Sequence, residues 1–293
     1  MTNPEKLIEK ANKKLNPGFF GKLLSDEEGR KEEAAELYEQ AANLYKLKKN
    51  WSEAGKCYEK AGELEEQSNG TAAYTQYQEA AHCYGFVDQN KKKQAINKCI
   101  KSCENVGKFM QAGKLLQQMA TECEENLDYE NAIELYQKAH DYFKSESQNT
   151  KSLQQSCLTK VADLMCLSDH KDMFTEAPRI YEKLGMQYLT NPLLKSSAKN
   201  MFFKCVVVYL SKKDEISADN SLKKFLIEDP TFDDTRDSKF LKETITYVTE
   251  PCNPEGFKTA VNSYKKVNNL DKWMLTMFGK ILKAIEVDEE DMK

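Results

Sequence analysis

Small and aromatic residues recur at helical spacing through the first two thirds of the chain. Between Glu32 and Ala61 the sequence places Ala34, Tyr38, Ala41 and Tyr45, then Ala54, Tyr58 and Ala61. Positions three and four apart share one face of a helix. Alanine there lets a neighbouring helix come close, and tyrosine beside it fills the remaining gap. The polar break Lys49-Asn50-Trp51-Ser52 separates the two runs, and its Asn or Ser can cap the second. The pattern predicts a helical hairpin with a small/large stripe on each arm.

The stripe returns along the chain. Its copies are Ala73, Tyr77, Ala80 and Tyr84; Ala95, Cys99 and Cys103; Ala112, Leu116 and Ala120; Ala132, Tyr136, Ala139 and Phe143; and, more loosely, Ala177, Tyr181 and Leu184. Copies start roughly every 20 residues, so a hairpin takes about 40, near the periods of helical repeats. One hairpin cannot bury its apolar face alone and must stack on its neighbours. The expected fold is all-α, a TPR-like solenoid of antiparallel helical hairpins.

Both ends depart from the stripe. Asn3-Pro4-Glu5 predicts a first helix, closed by Asn16-Pro17-Gly18. Phe19, Phe20, Leu23 and Leu24 then fall in a loop bracketed by glycine. Apolar loop residues usually pack against their own domain, and the residues alone favour that reading. The alternative is an exposed wedge for a membrane surface or a partner. Past the array, Asn191-Pro192 marks a boundary. Leu193–Leu210 predicts a core helix, apolar around most of its circumference. Further helices are expected over Ser217–Ile227, from Asp233-Asp234 past Leu241, over Phe257–Val267 and over Leu270–Ile285. The chain thus divides into an N-terminal helix and loop (1–30), a repeat array (31–190), a C-terminal helical bundle (191–285) and an acidic tail (286–293).

Composition narrows the function. The 293 residues are 40% hydrophobic and 31% charged, with only 7 Pro and 12 Gly, which favours a soluble helical protein. A net charge of −4 argues against general nucleic-acid binding. Nine scattered cysteines read as reduced core residues of a cytosolic protein. No apolar run reaches membrane-spanning length and Met1–Leu15 lacks a signal-peptide core, so the expected place is the cytoplasm, peripheral on membranes. The three histidines have no ligand partners at metal spacing, and no Cys-x-x-Cys occurs. Gly107-Lys108 and Gly113-Lys114 imitate a phosphate loop, but the spacing is wrong and Leu115 stands where Ser or Thr must bind magnesium. No active site or cofactor is implied. Lysines at 91, 92, 93, 98, 101, 108, 114, 151 and 160 are either a solvated face or a concave surface for an acidic partner.

Four segments carry a family resemblance: Lys49-Asn50-Trp51-Ser52-Glu53-Ala54-Gly55, Pro192-Leu193-Leu194-Lys195-Ser196-Ser197-Ala198-Lys199, Leu270-Asp271-Lys272-Trp273 and Asp288-Glu289-Glu290-Asp291. They resemble the soluble NSF attachment proteins, the alpha type with its beta and yeast relatives, over nearly the whole chain. The resemblance implies an adaptor, not an enzyme. Such a protein binds the SNARE complex left after membrane fusion, of syntaxin-type and other SNAREs. It then recruits and stimulates the hexameric AAA+ ATPase NSF, which disassembles that complex using ATP. The resemblance implies a monomer when alone and several copies around one SNARE bundle.

Site residues carry over by position. Phe19, Phe20, Leu23 and Leu24 match the family's membrane-attachment loop, which turns that segment towards the wedge reading. Lys108, Lys114, Lys160, Leu193 and Lys199 match SNARE-facing positions. Glu250, Asp288, Glu289, Glu290, Asp291 and Met292 match the NSF-docking set, with Met292 where relatives have leucine. Ser156 departs from a SNARE-facing lysine, with Lys151 nearby to compensate, and Thr246 and Thr249 replace acids. The competing expectation from the repeats alone is a generic TPR-like scaffold for short peptides.

Overall fold

The computed structural model describes residues 3–17, 26–68, 72–146, 150–249 and 251–291, with side chains to Glu286. These form fourteen α-helices and two 3-10 turns, and no strand occurs among the described residues. The all-α hairpin architecture expected from the stripe is the one observed. The helices are α1 (Pro4–Leu15), α2 (Glu27–Leu47), α3 (Trp51–Gln67), α4 (Ala73–Tyr84), α5 (Gln89–Asn105), α6 (Phe109–Glu125), α7 (Tyr129–Ser145), α8 (Lys151–Leu167), α9 (Glu176–Leu189), α10 (Lys195–Ser211), α11 (Glu215–Glu228), α12 (Arg236–Val248), α13 (Pro254–Lys265) and α14 (Lys272–Asp291). The chain comprises two compact units, Met1–Leu116 with Ser145–Ser147, and Gln117–Lys144 with Gln148–Lys293.

In the first unit each helix packs on the next: α1 on α2, α2 on α3, α3 on α4 and α4 on α5. The stripe is the packed face, with Ala34, Ala41, Ala54, Ala61, Ala80 and their tyrosines buried. Each tyrosine buries its ring and sends its hydroxyl to a polar side chain on the preceding helix. Tyr38 OH donates to Asn12 Oδ1 at 2.7 Å, Tyr58 OH to Asn43 Oδ1 at 2.7 Å and Tyr84 OH to Glu59 Oε2 at 2.9 Å. A Cβ at Gly55 would stand 2.6 Å from the Tyr84 ring, so only glycine admits that ring. The side chain of Asn50 caps α3, accepting from Glu53 N.

In the second unit α10 is the central helix, packed against α9, α11, α12 and α14. Phe202 stacks on Phe225 at 4.2 Å between centroids, and Phe203, Phe240, Tyr264, Phe257 and Phe278 form the aromatic core beside it. Three element limits differ from expectation. Pro192–Leu194 is a 3-10 turn, so α10 starts at Lys195. Asp233-Asp234 does not open α12. Asp229 caps a 3-10 turn at Pro230–Phe232, and the Thr235 hydroxyl then accepts from Ser238 N at 3.1 Å. The last helix continues past Ile285 to Asp291, tied to α13 by Glu286 and Lys258 at 3.0 Å.

Five corners share one geometry that no residue pattern announces. Lys49, Gly107, Leu127, Asp169 and Lys213 all have positive φ, between 54° and 69°. Each lies two residues past a helix end. The next residue's N–H returns to the carbonyl five positions back: Asn50 to Tyr45, Lys108 to Cys103, Asp128 to Cys123, His170 to Met165 and Asp214 to Tyr209. This is the Schellman closure, which satisfies carbonyls the helix end leaves open. Only one of the five is glycine, although β-carbons are strained in the left-handed region. Leu127 is 63% exposed, so its side chain is not needed for packing. Leu127→Gly is therefore expected to stabilise the protein by up to about 1 kcal/mol in chemical denaturation. A loss of stability would contradict this account of the corner.

Candidate interaction surfaces

The residues carried over as SNARE-facing fall in both units. In the first, Lys108 is the residue after the Gly107 corner, and its carbonyl accepts from Ala112 N at 3.2 Å to start α6. Lys114 lies further along α6, opposite the buried stripe residues Ala112 and Leu116. Both lysines are exposed, and neither makes an ion pair among the described residues.

In the second unit Lys160 is already engaged. Its ammonium lies 2.8 and 3.0 Å from the two oxygens of Glu124, which also accepts from the Tyr136 hydroxyl at 3.1 Å. The Lys160 side chain is 44% exposed, so an acidic partner competes with a pair worth only about 0.2–1 kcal/mol. Lys199 is held more firmly. It donates to the Thr231 carbonyl at 3.0 Å and lies 3.9 Å from Asp229 Oδ2, which has no hydrogen-bond partner of its own. At 22% side-chain exposure it clamps the 3-10 turn before α12. Leu193 is the contrary case, 90% exposed on a turn fixed by Asn191 Oδ1 accepting from its N–H at 3.0 Å.

The departures can also be placed. Ser156 is exposed on α8. Lys151 starts the same helix, about 140° around its axis from Ser156, so it does not stand in for a lysine there. Thr246 and Thr249 turn their hydroxyls to the carbonyls of Lys242 and Ile245, at 3.1 and 2.9 Å. Phe19, Phe20, Leu23 and Leu24 lie outside the described residues, as do Glu250 and Met292. Asp288, Glu289, Glu290 and Asp291 form the last turns of α14, with side chains outside the described set. Where α1 leads into residues 18–25 and α2 leads out, Lys10, Lys13, Lys14 and Arg30 line a recess of about 880 Å³ together with Asp26, Glu33 and Glu36. Within it Lys14 pairs with Glu33.

One polar constellation was not anticipated from the sequence. Lys204, in the middle of α10, is buried with its ammonium 2.7 Å from Asp163 Oδ1 on α8. The Tyr181 hydroxyl of α9 donates to the same oxygen at 2.6 Å. The Trp273 ring of α14 covers the ammonium at 4.9 Å. Burial, then the Asp163 carboxylate, pushes the Tyr181 hydroxyl well above its ordinary pKa. A single lysine within the apolar stretch 201–210 was the available signal. The cysteines are all free thiols. Burial pushes Cys57, Cys83 and Cys157 up to about 11, and Cys166 up to about 12, so these four stay protonated at neutral pH. No group of His, Cys, Asp and Glu that could hold a metal occurs among the described residues. Nor is any described helix long and apolar enough to cross a membrane.

Stacked helical hairpins leading into a helical bundle define an α-helical repeat scaffold. The profile of one family, "Soluble NSF attachment protein, SNAP", matches residues 2–286, and the chain belongs to that family. It is a family of adaptors, not of enzymes. Relatives include the beta-soluble NSF attachment protein of Bos taurus, 34% identical over 74% of this chain and 70% of that protein. The alpha-soluble NSF attachment protein of Homo sapiens is 32% identical over 78% and 76%. The vesicular-fusion protein SEC17 of Komagataella phaffii is 31% identical over 100% and 98%.

Proposed function

We propose that this chain binds post-fusion SNARE complexes and recruits and stimulates the NSF hexamer for their ATP-driven disassembly. The observation that carries this reading is similarity over the full length to proteins named for NSF attachment and vesicular fusion. Lys108, Lys114 and Leu193 are the exposed contacts for an acidic helical bundle, Lys160 joins them by leaving Glu124, and Lys199 holds the turn at Pro230–Phe232. Glu250, Asp288, Glu289, Glu290, Asp291 and Met292 dock on NSF. Phe19, Phe20, Leu23 and Leu24 enter the membrane surface, each side chain worth at most about 1.5–3 kcal/mol, which assists a protein already held near lipid. Several copies surround one bundle.

Purified protein, NSF and ATP are expected to release monomers from a preassembled SNARE complex. Retention of that complex in a pull-down should fall as salt rises, because exposed cations provide much of the contact. Salt-independent retention, or binding of short peptides without any disassembly, would point instead to a generic peptide scaffold.

A further inference from the structure

The C-terminal turns of α7 and α9 and the N-terminal turn of α8 enclose a recess of about 400 Å³. Its lining includes Lys144, Lys151 and Lys183, all exposed, with His140 beside them. No carboxylate lines it among the described residues, and none of the three lysines makes an ion pair there. Elsewhere in the same unit lysines are neutralised, as in Lys160–Glu124, Lys204–Asp163 and Lys224–Glu182. The floor is polar. Gln155, buried, donates Nε2 to Gln187 Oε1 at 3.0 Å, which leaves the Gln187 amide N–H2 as a donor. The Thr150 hydroxyl donates to the Phe143 carbonyl, so it does not cap α8, and among the described residues the first N–H groups of that helix have no side-chain acceptor. A helix N-terminus adds about half a positive charge.

Three unneutralised ammonium groups around one concavity repel each other, and an anion seated among them relieves that cost. The three come from three helices, so a ligand that meets all of them carries several negative groups on a compact frame. Apart from His140 no aromatic ring among the described residues lines the recess, which disfavours a stacked nucleobase. Glutamine amides suit ring hydroxyls, and the volume falls in the small-ligand range. We propose that this recess binds an inositol ring bearing two or more phosphates, either free or as the headgroup of a phosphorylated lipid. Lys151 lies about 180° around α8 from Lys160, so the recess and that proposed SNARE-facing lysine occupy opposite sides of this helix.

Calorimetric titration of the full chain with inositol hexakisphosphate at physiological salt is expected to show saturable binding. Lys151→Glu with Lys183→Glu should weaken it by at least about tenfold, the worth of one lost charge-assisted contact. Lys93→Glu with Lys101→Glu makes the same change in net charge at exposed positions elsewhere and should leave the affinity unaltered. If the first pair fails to fold, Lys151→Gln with Lys183→Gln serves the same comparison. Cosedimentation with phosphatidylcholine vesicles, with and without phosphatidylinositol bisphosphate, then assigns the source. Binding that depends on the bisphosphate supports the lipid headgroup, and binding of the soluble ligand alone supports the free anion. No saturable binding, or an equal loss in the two charge-matched pairs, overturns the proposal.

Discussion

Asp163→Ala is expected to destabilise the second unit by about 3–5 kcal/mol, the cost of breaking a buried ion pair from one side. The Lys204 side chain is 7% exposed and that of Asp163 21%, so water does not readily replace the lost carboxylate. The substitution also removes the acceptor of the Tyr181 hydroxyl, itself fully buried. The ammonium would remain against the Trp273 and Tyr181 rings, at 4.9 and 5.7 Å, which offset only part of its desolvation. Adding Lys204→Met should restore much of the loss, because an apolar pair of similar volume avoids the buried charge. Denaturant titration followed by Trp273 fluorescence checks this in a Trp51→Phe background, since the chain has only 2 tryptophans. A loss below about 1 kcal/mol would mean that the pair behaves as an exposed one.

Deleting Asp288–Lys293 is expected to abolish NSF-driven disassembly while leaving SNARE binding largely intact. Five carboxylates fall between Glu286 and Asp291, and α14 carries its helix through them. The C-terminal end of a helix adds about half a negative charge of its own, so this tip concentrates anion character for a basic docking surface. Charge neutralisation by Asp288→Asn, Glu289→Gln, Glu290→Gln and Asp291→Asn should reproduce most of the effect. Met292→Leu should preserve activity, the two side chains being close in volume. Release of SNARE monomers and retention of the assembled complex are the two readouts. Full disassembly by the truncated protein would remove the tail from the mechanism.

The hairpin array was legible because its determinants are local. Ala34, Tyr38, Ala41 and Tyr45 lie within a few turns of each other, and a helix that buries them must do so along one stripe. The central place of α10 was legible for the same reason, from its apolar run. The Asp163–Lys204 pair was not, because its partners are 41 residues apart and meet only after three helices have packed. Likewise, Lys108 and Lys199 look alike as isolated lysines. Tertiary packing leaves one exposed at a helix start and fastens the other to the Thr231 carbonyl. The recess drew on the ends of three helices, and of its lysines only Lys151 is among those the sequence pattern singled out.

The corners at Lys49, Gly107, Leu127, Asp169 and Lys213 were hidden because a left-handed residue usually announces itself as glycine, and four of these do not. At the left-handed residue itself the closure belongs to the main chain, while the residue after it can add a side-chain cap, as Asn50 does. A protein built on such joints can exchange that one letter at each bend without moving a helix. It follows that a relative carrying a different residue at the left-handed position should still keep the same bend.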